Sequence, residues 1–285
     1  MIDLSRQLGP TRADHRLTLT TALPVTIADV TGATSLYYTP AGGGNQIMLF
    51  TTAGISVNVV LIEQTLALGT LTSGKPYDVF VWWDGGFQKE YVVWTNDTTR
   101  ATALALNGGV WVKSGTTYKR YVGSFYTTST TATEDSAAKR FLWNTYNRVW
   151  REMKVVESTD SWTYETDTYR SANASTVNRL QFVLGISEDP VFAEVFGLVN
   201  RSIDGHATVG IGLDATNTNS AKVYGGYAKA THYVPCKAVY DKTIAAGLHF
   251  LQWLEKAEAS GTVTWYGDAG AATTYQFGMF GRVKA

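Results

Sequence analysis

The stretch Tyr126-Thr-Thr-Ser-Thr-Thr-Ala-Thr-Glu-Asp-Ser-Ala-Ala-Lys-Arg-Phe-Leu-Trp-Asn-Thr-Tyr-Asn-Arg-Val149 divides the chain. Its first half is small, hydroxylated and nearly uncharged; its second half turns to cations and aromatics. Apolar content is lowest from Thr127 to Asp135, which sets a boundary between two β-rich halves. From Ala137 onward, Phe141, Leu142 and Tyr146 share one face at helical spacing, with Asp135 or Ser136 available as a cap. The spacing predicts one short helix there.

Outward from this joint, composition favours strands. Of 285 residues, 45% are apolar and only 17% charged, with 16 Tyr and 9 Trp among frequent Gly and Thr. Aromatic and β-branched residues suit pleated, half-buried surfaces. Arg16 to Thr21 alternates as a strand. Tyr77 to Trp83 runs into Asp84-Gly85-Gly86 and returns from Lys89 to Trp94 as a hairpin. Val110 to Lys113 and Tyr118 to Tyr126 form another around Gly115. Beyond the joint, Arg148 to Val156 alternates, with Val149, Met153 and Val155 on one face. Asn178 to Ile186 and Val191 to Val199 read as a pair around Ser187-Glu-Asp-Pro190. Ile244 to Ala259 fits both periods; the following Ser260-Gly261 and Thr262 to Tyr266 favour a long hairpin over a helix. The expected fold is therefore all-β: two β-sandwich or jelly-roll-like domains joined by a Thr-rich linker and one short helix. The expected divisions are an N-terminal arm at 1–15, a β domain at 16–130 and a C-terminal β-sandwich at 131–285.

Charge excludes some functions. The formal net charge is zero and no basic block occurs, so nothing marks a nucleic-acid surface. No apolar run reaches the roughly 18–20 residues of a membrane-spanning helix, so no membrane insertion is expected. The one cysteine, Cys236, forms no intramolecular disulfide and reads as a small buried hydrophobe. His15, His206, His232 and His249 have no metal-ligand spacing and read as turn or rim residues. No nucleophile elbow or phosphate loop is present, and Glu134, Asp135, Glu157, Asp160, Glu165 and Asp167 read as caps and strand-end solvation. No catalytic set, metal or cofactor is expected. The better clue is aromatic: Tyr37, Trp82, Trp83, Trp111, Trp162, Tyr164, Tyr169 and Trp265 are candidate glycan-stacking or interface rings. In Trp82-Trp83, alternation sends the two rings to opposite faces.

The joint sequence Thr127 to Val149 also resembles one that recurs in tailed-bacteriophage virion proteins of the tail-fibre or spike type. Similar blocks are Leu17-Thr-Leu-Thr-Thr-Ala-Leu-Pro-Val-Thr26, Tyr37-Tyr-Thr-Pro40, Tyr77-Asp-Val-Phe80, Trp94-Thr-Asn-Asp-Thr-Thr-Arg-Ala-Thr-Ala-Leu104, Ser161-Trp-Thr-Tyr164, Gly210-Ile-Gly-Leu-Asp214 and Thr264-Trp-Tyr-Gly-Asp-Ala-Gly270. The resemblance implies a non-enzymatic component of the virion surface, made in the host cytoplasm and homo-oligomeric, commonly trimeric. With only Met1 to His15 before the similar region, a short fibre or spike on tail or head is expected. Residues 1–15 would dock it to other virion proteins, and the β-rich body would bind a bacterial surface glycan. The rival expectation is an architectural capsid-decoration or baseplate component without a receptor.

Overall fold

A computed structural model describes residues 12–268, 270, 272 and 274–285. In the N-terminal half the strands are β1 (His15–Thr18), β2 (Val30–Ala33), β3 (Ser35–Pro40), β4 (Gln46–Phe50), β5 (Ser56–Val60), β6 (Gln64–Ala67), β7 (Pro76–Trp83), β8 (Phe87–Asn96), β9 (Thr99–Arg100), β10 (Leu104–Asn107), β11 (Val110–Lys113) and β12 (Thr116–Tyr126). The joint supplies β13 (Thr133–Asp135), β14 (Lys139–Arg140) and β15 (Leu142–Asn144). The C-terminal half adds β16 (Trp150–Val156), β17 (Ser161–Thr163), β18 (Arg170–Ser171), β19 (Arg179–Leu184), β20 (Pro190–Arg201), β21 (Gly205–Leu213), β22 (Lys222–Tyr224), β23 (Tyr227–Ala228), β24 (Tyr233–Thr243), β25 (Gly247–Ala257), β26 (Val263–Tyr266) and β27 (Gly278–Lys284). The protein is all-β: among the described residues the helical content is one 3-10 turn at Ala172–Ala174.

Both expected hairpins form, β7 with β8 through Trp83↔Phe87 and β11 with β12 around Gly115. They lie in one sheet with the order β10-β11-β12-β7-β8-β9. Strand β7 is buried along Pro76–Val81 because both its faces are covered. Tyr77, Val79 and Val81 pack with Leu17, Leu36, Ile47 and Leu66 in an N-terminal core. Phe80, from the opposite face, joins Tyr121 and Trp143 in the larger C-terminal core. On that same side Arg100 Nε lies 2.7 Å from Asp78 and its other end donates to the Gly185 carbonyl, tying the halves together. The two β-rich halves therefore share a wall.

The Thr-rich joint is a wedge rather than a linker. Thr127 and Thr133 are fully buried and bridge one another. Their hydroxyls donate to the Thr72 and Tyr126 carbonyls at 2.8 and 2.7 Å. The predicted short helix is absent: β14 pairs in parallel with β19, and β15 pairs with β12. Leu142 enters the N-terminal core while Trp143 enters the C-terminal one, an up-down alternation that only an extended backbone provides. Asp135 is no cap. Its buried carboxylate holds Arg140 at 3.1 Å and Arg151 at 2.9 Å. Arg151 thus sits on the inner face of β16 with Met153, where sequence alternation had left only Val149, Met153 and Val155. The division at residue 130 is likewise crossed, because β2 pairs with β13.

The C-terminal half packs two sheets face to face. One runs β2-β13-β14-β19-β25-β21-β23 and the other β16-β27-β20-β24-β22. Leu180, Phe182, Leu251 and Trp253 from the first meet Val191, Val195, Met279 and Val283 from the second in a single core. The expected pairing of the 178–186 and 191–199 segments does not occur: β19 bonds β25 and β14, whereas β20 bonds β24, β26 and β27, in the opposite sheet. Within the 244–259 segment residues 247–257 form a strand rather than a helix, yet this β25 makes no hairpin with β26; it lies between β19 and β21. Its inner positions fit one sheet and β26 fits the other, so the turn at Gly261 switches layers instead of closing a ladder.

Candidate functional site

Strand β20 positions the site. In its sequence, Pro190-Val-Phe-Ala-Glu-Val-Phe-Gly-Leu-Val-Asn-Arg201, buried and half-buried residues alternate strictly from Val191 onward. The small or branched side chains Val191, Ala193, Val195 and Val199 point inward, and Gly197 completes the row because a Cβ there would lie 2.8 Å from Val209 Cγ1. The larger Phe192, Glu194, Phe196 and Leu198 therefore face outward. An outer face of an antiparallel sandwich is ordinarily polar. Here it is a checkerboard of rings and charges.

Register fixes the neighbours. Phe192 stands opposite Arg282 of β27, which in turn stands opposite Glu152 of β16; Glu194 faces Phe280, which faces Lys154. On the other side Phe196 faces Lys237 of β24. The Arg282 guanidinium lies 4.9 Å from the Trp150 ring and 5.4 Å from that of Phe192. Lys154 lies 5.7 Å from Phe280, and Lys237 is 4.6 Å from Phe196 while pairing with Glu194 at 2.8 Å. A ring beneath a cation offers a flat apolar plate edged by hydrogen-bonding groups. A groove of about 790 Å³ opens over this face, floored by Phe192, Phe280, Glu152 and Arg282 and walled by Ile27, Asp29, Ala137 and Arg140. Ile27 on its rim is 89% exposed.

None of the eight rings singled out from the sequence lines this groove. Trp265 is buried, and Trp162 pairs with it across β17 and β26 at the sandwich edge. Tyr164 accepts from Trp265 Nε1 through its carbonyl at 3.0 Å and lies under Arg170 at 3.8 Å. Trp162 Nε1 and Arg170 Nε both donate to the fully buried Glu255, at 2.6 and 2.8 Å. Burial raises the Glu255 carboxyl above its usual value despite those two bonds. This corner is packing. Trp111 packs against the C-terminal core and Trp83 against the N-terminal one. Trp82 points the other way, edge-on to Tyr118 and 4.6 Å from Lys119, in line with the expected alternation. Tyr37 is half-buried on β3. Tyr169 lines a smaller pocket of about 330 Å³ with Asp167, His206, Lys256 and Glu258.

Other sequence candidates resolve into structural roles. His15 and His249 are buried rather than at turns or rims: His15 stacks on Tyr38 at 5.0 Å and bonds the Leu61 carbonyl, and His249 Nδ1 lies 2.8 Å from Asp214. Cys236 is buried, which pushes its thiol up to about 12. Burial opposes ionisation of Glu157, but donors from Asn178, Thr159 and Asn173 outweigh it and hold the carboxyl below its usual value. Among the described residues no group of three or more His, Cys, Asp or Glu is placed to hold a metal. Also among them, no helix is long and apolar enough to cross a membrane. Of the expected docking arm, residues 1–11 lie outside the described residues. Residues 12–15 belong to the body, with Ala13 bridged to Ile47 and His15 in β1.

No protein-family description and no curated protein matches the chain in sequence. Similar solved structures include the insecticidal delta-endotoxin Cry8Ea1 from Bacillus thuringiensis, with a TM-score of 0.25 and 8% identity over 99% of this chain and 55% of that one. The mosquito-larvicidal Cry4Aa toxin from the same organism gives a TM-score of 0.22 and 9% identity over 99% and 55%. The chain thus spans about half the length of each, and at these scores the likeness carries no argument about function.

Proposed function

We propose that this protein is a surface component of a tailed-phage virion, a short fibre or spike on tail or head, that holds the particle to a bacterial surface glycan. The virion setting rests on the sequence blocks around the joint and along the chain. The attachment role rests on one observation, the groove and ring-and-charge face over β20. Sugar rings present apolar C–H faces and hydroxyl edges, and this surface offers aromatic plates beside paired charges to meet both. The role is one of binding, not catalysis. Each contact is weak, and a homotrimer repeated on a particle multiplies it through effective concentration.

A second reading, an architectural virion component, is favoured by the edge strand β5. Among the described residues its bonded neighbour is β4 alone, and Val60 at its end and Ile62 just past it are 66% and 75% exposed. Such an uncharged apolar edge suits contact with another chain. Host-cell binding by purified protein separates the two. Saturable binding to cells, lost in Phe192→Ala/Phe280→Ala, supports attachment. Undiminished binding in that variant removes the groove from the attachment role, and no binding together with normal incorporation into particles leaves the architectural reading.

A further inference from the structure

Resting on that attachment reading, we infer that the ligand is an extended, uncharged polysaccharide that runs along β20 beyond the groove, from Phe280 to Tyr233. The outer face does not end where the groove ends. Past Phe196 the partner of β20 changes from β27 to β26, and Tyr266 stands opposite Leu198. One step further, Asn200 stands opposite Tyr233 of β24. The Tyr233 and Tyr266 rings lie 5.3 Å apart, and Tyr233 is 61% exposed. From Phe192 to Asn200 a strand advances about 26 Å. A single sugar cannot span that distance, whereas a chain of several sugars can rest on successive rings.

Charge selects the ligand class. Along β20 the outward cations Lys154, Arg282 and Lys237 alternate with the outward carboxylates Glu152, Glu194 and Asp241, while at the margins of the face Lys284 pairs with Asp189 and Lys222 stands on β22. Lys237 already pairs with Glu194, and Lys154 and Arg282 already lie over rings. Along β20 itself a polyanion would meet as many carboxylates as cations. A protein partner would have to desolvate interleaved Lys and Glu, residues depleted from the cores of protein interfaces. Neutral hydroxyls can bond these groups where they stand.

The test uses the full chain on a microarray of neutral and anionic bacterial polysaccharides, followed by calorimetry with size-fractionated fragments of whichever is bound. The expected result is binding to neutral chains, insensitive to salt, with affinity rising with fragment length. Phe280→Ala should weaken short and long fragments alike. Tyr233→Ala should weaken long fragments about tenfold and leave the shortest unchanged. Binding only to anionic chains, or a Tyr233→Ala variant equal to the parent at every length, overturns the inference and leaves attachment standing. Binding to no polysaccharide on the array overturns both.

Discussion

The joint around Asp135 and the outer face around Phe192 are built from the same side chains. Each interleaves arginine, carboxylate and aromatic rings. At the joint Asp135 holds Arg140 and Arg151, Trp143 stacks on Tyr121 at 6.3 Å, and Arg148 lies 5.0 Å from Trp143. Asp135, Tyr121 and Trp143 are buried and the Arg140 and Arg148 side chains nearly so, and nearby burial and the Arg151 charge draw Arg16 down to about 10. On the outer face the same kinds of group are half-buried or exposed, with Trp150 45% exposed. Buried, the set locks two halves in one geometry, since a charge left unpaired inside the protein is costly. Exposed, it is worth little to stability and remains free to meet a ligand. Chemistry of this kind acquires a function through accessibility rather than through residue type.

That contrast can be broken experimentally. The largest effect is expected at the joint: Asp135→Ala leaves Arg140 and Arg151 unpaired and should cost about 3–5 kcal/mol in chemical denaturation. A loss under about 1 kcal/mol would mean that the joint is no lock. Next comes pH. The Glu157 carboxyl is held below its unfolded value, so its contribution is present above that value and is lost as pH falls through the folded one. Glu157→Gln should therefore flatten part of the acid-side fall in stability, and an unchanged slope would remove Glu157 from the account. On the outer face, Phe192→Ala/Phe280→Ala should shift stability by only about 1 kcal/mol while weakening glycan binding at least about tenfold. The reverse pattern, large destabilisation with intact binding, would erase the distinction between the two regions. The smallest change in folding energy, within about 0.5 kcal/mol, is expected for Val60→Lys on the β5 edge. Light scattering should nevertheless find it less oligomeric than the parent, and an unchanged mass would release β5 from any interchain role.

The same contrast governs what could be read from sequence. Fold class and the β7–β8 and β11–β12 hairpins were legible because Gly-rich turns and period-two alternation are local signals. The extended state of residues 247–257 was legible for the same reason. The joint misled because Leu142 and Trp143 are buried on opposite sides by different cores, so a dense apolar run imitated a helix. Pairings such as β14 with β19 depend on contacts made far along the chain. The candidate rings misled for a related reason. The amphipathic tryptophan ring reads as a surface clue, yet Trp162 and Trp265 fill a sandwich edge. The rings that floor the groove are phenylalanines on β20 and β27, residues that ordinarily mark cores. A usable signal was present: β20 alternates small with large side chains, and the larger ones fell on the face opposite the compact valine row.

The long reach of Arg16 carries a kinetic consequence. Its guanidinium donates to the Ala285 carbonyl, 269 positions later, and β2 likewise waits for β13. During synthesis the early strands are made while these partners have yet to emerge, so the N-terminal half stays incomplete until the last strand arrives. Non-local pairing of this kind slows folding and prolongs the life of unpaired edges. Refolding from denaturant should accordingly pass through a species with β7–β8 and β11–β12 formed and the joint still open.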